Sequence, residues 1–140
     1  MTQTLAPWIP EDALAAMMVA MSVSDEAMKT LELLSIERII NNLPVFANYD
    51  IDRLKIISQT VFDLFEEEDG LDALFGLVRS ALPEKLYETA YALCCDIAAS
   101  DGRLREEELR FLQETRYELN LNRLQTAAIE RGARARHMTL

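Results

Sequence analysis

Residues 50–70 read Asp50-Ile51-Asp52-Arg53-Leu54-Lys55-Ile56-Ile57-Ser58-Gln59-Thr60-Val61-Phe62-Asp63-Leu64-Phe65-Glu66-Glu67-Glu68-Asp69-Gly70. Ile51, Leu54, Ile57, Val61, Leu64 and Phe65 recur close to every 3.6 residues, the period of a helix with one apolar face. The acidic run and Gly70 close it. The same period continues on both sides. Upstream, Pro10 opens a helix carrying Ala13, Leu14, Met17, Met18 and Met21 as a stripe. A second helix carries Leu31, Leu34, Ile36, Ile39, Ile40 and Leu43 and stops at Pro44. Downstream, Leu71, Leu74, Phe75 and Val78 mark a short helix ending before Pro83. A fifth helix from about Pro83 to Ala99 buries Leu86, Ala90, Leu93, Cys94 and Ile97. A sixth holds Leu109, Phe111, Leu112 and Leu119. Asn122 caps a seventh, with Leu124, Ala127, Ala128 and Ile129. No stretch alternates apolar and polar residues, so the expected fold is all-α, a compact bundle of six or seven helices. Residues 1–10 are expected to form an extended segment anchored by Trp8, residues 11–136 the helical domain, and residues 137–140 a tail.

The 140 residues suffice for one domain, and half of them are apolar. Against 14 basic side chains stand 24 acidic ones, a formal charge of −10. That field repels phosphate backbones and anionic lipid, so nucleic acid is excluded as the expected partner. Cations and basic surfaces are favoured. The single histidine, His137, leaves no parts for a Ser-His-Asp triad or a two-histidine metal site. Leu14 to Met21, the longest uncharged apolar run near the N-terminus, is too short to span a bilayer. With no secretory leader and no disulfide framework, a cytoplasmic protein is expected. Cys94 and Cys95 are adjacent on an apolar helix, where cysteine behaves as a small hydrophobe and at most one of the two should face the core.

A repeat underlies the chain. Ser24-Asp25-Glu26-Ala27-Met28-Lys29-Thr30-Leu31-Glu32-Leu33 lies over Ser100-Asp101-Gly102-Arg103-Leu104-Arg105-Glu106-Glu107-Glu108-Leu109, an offset of 76 residues from Asp25 to Asp101. Each copy is a helix, a short loop and a helix, with an aspartate in the loop and a glutamate seven residues on. Such carboxylates can converge on a hard cation, with loop carbonyls completing the oxygen set. Asp25, Glu32, Asp101 and Glu108 are the candidate ligands, with Glu107, Glu26 and Asp96 near enough in sequence to join. The second copy is not an EF-hand loop: with Gly102 at position six, Ile97 and Ala99 would stand where side-chain ligands are needed. A capping box needs a Ser, Thr, Asp or Asn three residues before the glutamate. Lys29 and Arg105 stand there, so capping is not expected to account for Glu32 and Glu108.

Ala98-Ala99-Ser100-Asp101-Gly102-Arg103-Leu104-Arg105-Glu106-Glu107-Glu108-Leu109 resembles the Ala-Asp-Gly, apolar, Glu-Glu signature of the TerB-like tellurite-resistance family. That pattern occurs twice in an all-helical domain, and the resemblance runs from about residue 11. It implies a bundle of two pseudo-symmetric halves with an acidic, metal-binding patch, associated with chemical-stress responses and protein docking. The matching positions are Asp101, Gly102, Glu107 and Glu108, and in the first copy Asp25 and Glu32. Glu26 stands where the glycine is usual, and Ser24 and Ser100 where alanine is usual.

The expected function is a non-enzymatic stress-response module that binds a divalent cation, Ca²⁺ or another, and docks a protein partner. No organic cofactor and no membrane insertion are expected, and the methionine-rich first helix leaves a homodimer open. A metal-free scaffold is the alternative, and a metal-dependent hydrolase the weakest reading.

Overall fold

The computed structural model describes residues 7–23, 30–100 and 104–140, and of residues 30–32 the backbone alone. These form seven α-helices: α1 (Pro10–Val23), α2 (Thr30–Asn42), α3 (Arg53–Phe65), α4 (Gly70–Ala81), α5 (Tyr87–Ala99), α6 (Glu106–Glu118) and α7 (Arg123–Arg136). Short 3₁₀ turns, Pro44–Phe46 and Glu84–Leu86, precede α3 and α5. No strand occurs among the described residues, so the all-α expectation holds.

The helix boundaries obey the sequence repeat. Shifted by the Asp25-to-Asp101 offset, the last residue of α1, Val23, falls on the last of α5, Ala99. The ends of α2, Thr30 and Asn42, fall on the ends of α6, Glu106 and Glu118.

Packing departs from the expected single stripe in α1. Every residue from Asp12 to Ser22 is buried, because α1 lies at the centre with α2, α3, α4 and α5 packed around it. A helix apolar all round is stable only in such a position. Its alanines let neighbours come close, while Leu14, Met17, Met18 and Met21 fill the core. Its pseudo-equivalent α5 is the second core helix, packed against α1, α6 and α7. That double covering buries Cys94 and Cys95 together, where only one was expected to face inward. Burial, the larger cause, and the neighbouring Cys95 raise the Cys94 thiol; burial and Glu130 push Cys95 up to about 12. Both are therefore protonated and poor nucleophiles at neutral pH. On α7 the expected face holds only at Ile129, which packs half-buried against the core, while Ala127 and Ala128 are exposed. Leu124 is 80% exposed, and Thr126 and Ala133 are the residues turned onto α5. Asn122 does cap this helix, accepting from the Leu124 and Gln125 N–H groups.

The N-terminal end of α1 holds two acids, half-buried Glu11 and fully buried Asp12. Asp12 accepts from the Ile9 N–H (3.0 Å), the Tyr49 hydroxyl (2.7 Å) and two Arg53 nitrogens (3.0 and 2.6 Å). The contact with Ile9 closes the first turn of α1, and Arg53 ties that turn to the start of α3. Burial alone would raise the Asp12 carboxyl, but Arg53, Ile9 and Tyr49 together hold it below the ordinary carboxylate value.

A second close constraint sits at Gly70. A Cβ built there would lie 1.6 Å from the Leu64 carbonyl oxygen, so the α3–α4 turn admits only glycine. Gly76, in the interior of α4, has no such neighbour within 4 Å.

Two outcomes follow. Gly70→Ala should lower stability by about 1–3 kcal/mol through backbone crowding, whereas Gly76→Ala should raise it by about 0.5–1 kcal/mol; thermal melts of the two variants should move in opposite directions. Because the Asp12 pKa is depressed in the folded state, its stabilisation is in place above about pH 4, its unfolded value, and is lost as pH falls through the native pKa. Asp12→Asn should cost about 3 kcal/mol at neutral pH and flatten the loss of stability on acidification, read from urea unfolding at a series of pH values.

Candidate functional site

The candidate ligands lie where the core helices hand over to more exposed ones. Asp25 and Asp101, with Glu26 and Gly102, fall outside the described residues. Glu32 is the third residue of α2, and Glu108 the third of α6.

Glu108 is 3% exposed, and its carboxylate accepts the Arg105 backbone N–H at 3.0 Å. This corrects the expectation that capping does not involve Glu108. The requirement for a short polar residue applies to the outgoing half of a capping box. The returning half needs only a backbone N–H at the cap and an acceptor three residues on, and Arg105 in extended conformation supplies the first. Asp12 makes the same bond to Ile9 at the start of α1.

Glu107 points elsewhere, as the helical turn between adjacent residues dictates. It is exposed and lines a shallow depression with Glu67 and Glu68 of the α3–α4 turn and Glu114 of α6, over Phe65, Leu71 and Phe111. The structure thus joins Glu107 to the acidic run after α3 and separates it from Glu108. Among the described residues no three His, Cys, Asp or Glu side chains are grouped so as to hold a metal ion.

A larger concavity was not anticipated. A groove of about 1110 Å³ runs between α6 and α7, floored by Cys95, Ala98 and Ala99 of α5. Tyr91 donates its hydroxyl to Glu130, and Arg116 donates to the Tyr91 oxygen (2.6 Å) and to Glu130 (3.3 Å), bridging the two walls. Burial first, then the bond to Glu130, raises the Tyr91 hydroxyl. Outside the lining, Asp96 holds Arg136 at 2.6 Å and faces His137, a lining residue, at 3.5 Å. In sequence the groove is signalled only by the second stripe of α6, Leu109, Leu112, Arg116 and Tyr117, at helical spacing.

A family model described as tellurite resistance protein TerB matches residues 11–131. The chain belongs to the TerB family. The match takes in both copies of the repeat and ends within α7, so Arg134, His137 and Met138 of the groove lie beyond it. No curated protein matches this TerB-family chain, and no solved structure does. Among the described residues, no helix is long and apolar enough to cross a membrane.

The Glu108 bond gives a direct test. Glu108→Ala should lower stability in chelator by about 1 kcal/mol, the worth of a helix cap. Glu108→Gln keeps an acceptor for the Arg105 N–H and should lose less than half of that, and Glu107→Gln should leave the melting midpoint in place.

Proposed function

We propose that this TerB-family chain is a cytoplasmic stress-response module that holds a divalent cation at its two helix–loop–helix connections and docks a protein partner, acting by binding and not by turnover. The observation that carries the reading is the coincidence of the sequence repeat with the helix ends. Both acidic loops leave a core helix and enter a helix whose third residue is a glutamate. Asp25, Glu32, Asp101 and Glu108 would hold the ion, and Glu107, turned toward Glu67 and Glu68, would not ligate it. Their donors are all carboxylate oxygen, which suits Ca²⁺ or Mg²⁺ and fits no soft metal. The bound ion supplies a positive charge that joins carboxylates from two loops in a chain of net charge −10. Glu108 contributes by being fixed in place: burial and the Arg105 N–H restrict its rotamer. The protonated, buried thiols suit a reducing compartment and a role without nucleophilic chemistry.

The metal-free scaffold is favoured by one observation, that Glu108 already has a structural duty as a cap. The two readings part in a thermal melt of chelator-treated protein titrated with Ca²⁺, Mg²⁺, Zn²⁺ and Mn²⁺. An ion bound to the folded state should add about 2.7 kcal/mol at a hundredfold excess over its dissociation constant. Asp101→Asn combined with Glu108→Gln should abolish the rise. Flat midpoints with all four ions would overturn the metal reading and leave the scaffold.

A further inference from the structure

The groove between α6 and α7 differs from the rest of this acidic molecule in both charge and polarity. Leu109 is 48% exposed and Tyr117 79% exposed on the α6 wall, and buried Leu112 and Ala133 continue the apolar surface inward. A monomer in water gains nothing from presenting such side chains together. Around them stand Arg116, Arg123, Arg134 and His137, against a single lining carboxylate, Glu130, which Tyr91 and Arg116 already engage. Arg123 and Arg134 make no ion pair with a described residue. They stand eleven residues apart on one helix, about 16 Å by the helical rise, so free positive charge marks two ends of an apolar trough.

From this complementarity we propose that the groove takes the apolar face of an acidic amphipathic helix from a protein partner. The walls are two helices that both rest on α5, each showing residues at three- and four-residue steps. A third helix laid between them would meet apolar side chains along its centre and arginines along its flanks, the geometry of helix-in-groove recognition. The volume, 1110 Å³, exceeds the roughly 300–1,000 Å³ of small-molecule sites. A phosphate-rich surface suits the site less, because the field of the whole chain opposes it. The proposal rests on the docking half of the function proposed above and specifies the partner's chemistry. It makes no use of the cation.

The test uses the full chain in chelator and a fluorescein-labelled synthetic helix of about five turns, leucine on one face and glutamate on its flanks, followed by anisotropy. Saturable binding is expected. It should weaken at least tenfold in Arg123→Glu with Arg134→Glu, and again in Leu109→Ser, all exposed positions whose variants should keep their melting midpoints. A peptide of the same composition with its leucines scattered should bind at least tenfold more weakly, as should one with lysine in place of glutamate. Equal binding of the scattered peptide, equal binding by the variants, or no binding at millimolar peptide would overturn the proposal. So would self-association that the arginine variants abolish, which would assign the groove to a second copy, or phosphatidylglycerol vesicles bound through the same arginines while the peptide is ignored. Because chelator is present throughout, a silent cation titration leaves this result standing. A failed peptide with an intact cation response removes the groove alone.

Discussion

Everything in this fold is arranged around a helix with no face to water, and such a helix must begin somewhere. The first turn of any helix leaves backbone N–H groups without partners, and burying them bare is costly. Asp12 resolves this for α1 by accepting the Ile9 N–H while Arg53 and Tyr49 satisfy its remaining charge. The bond is local at one end and reaches about forty residues along the chain at the other. It fixes the register between α1 and α3 as a side effect of solvating a helix terminus. The apolar contacts of Leu14, Met17 and Met21 are stronger in sum, but they are directionless. The carboxylate says where along α1 they should fall.

The second core helix shows the same plan with different polar chemistry. α5 is covered by α1 on one side and by α6 and α7 on others, and its inward polar group is a tyrosine hydroxyl held by Glu130 and Arg116. The half built on α1 is closed over by α2, α3 and α4. The half built on α5 has only α6 and α7, and the space between them is the groove. The two copies of the helix–loop–helix unit thus have closely matched helices, 14 and 13 residues for α1 and α5 and 13 each for α2 and α6, and unequal enclosure.

The helices were legible because each carries an apolar period and most end at a proline, glycine or asparagine. Which face of each helix is buried was less legible. Leu34, Leu109 and Leu124 all belong to apolar periods, yet all three are exposed. A period identifies a stripe but not its neighbour, and on α7 the small residues Thr126 and Ala133 were the ones that could approach α5. In α1 the clue was present as an acidic pair, Glu11-Asp12, in front of twelve residues without charge. The repeat of acidic loops could be read directly. That Glu107 turns toward Glu67 while Glu108 caps Arg105 could not, since a capping rule stated in terms of side chains at the first position hides the half that any backbone supplies. The groove draws on three helices, and of its two arginines without an ion pair Arg134 sits in the last turn of α7, where positive charge is ordinary whatever lies opposite.

The position of α1 in the chain has a consequence for biosynthesis. This helix precedes all of the elements that cover it, and the last of its main partners, α5, ends at Ala99. A growing chain that emerges from its N-terminal side must hold a segment apolar on every face for most of the time that the rest is being made. Nothing local can shield it, and more than sixty residues of sequence separate α1 from α5. The arrangement that makes the finished core dense therefore leaves the nascent chain with an adhesive, uncovered helix. Its safe passage depends on how quickly α3, α4 and α5 follow, or on a chaperone that keeps the helix occupied until they do.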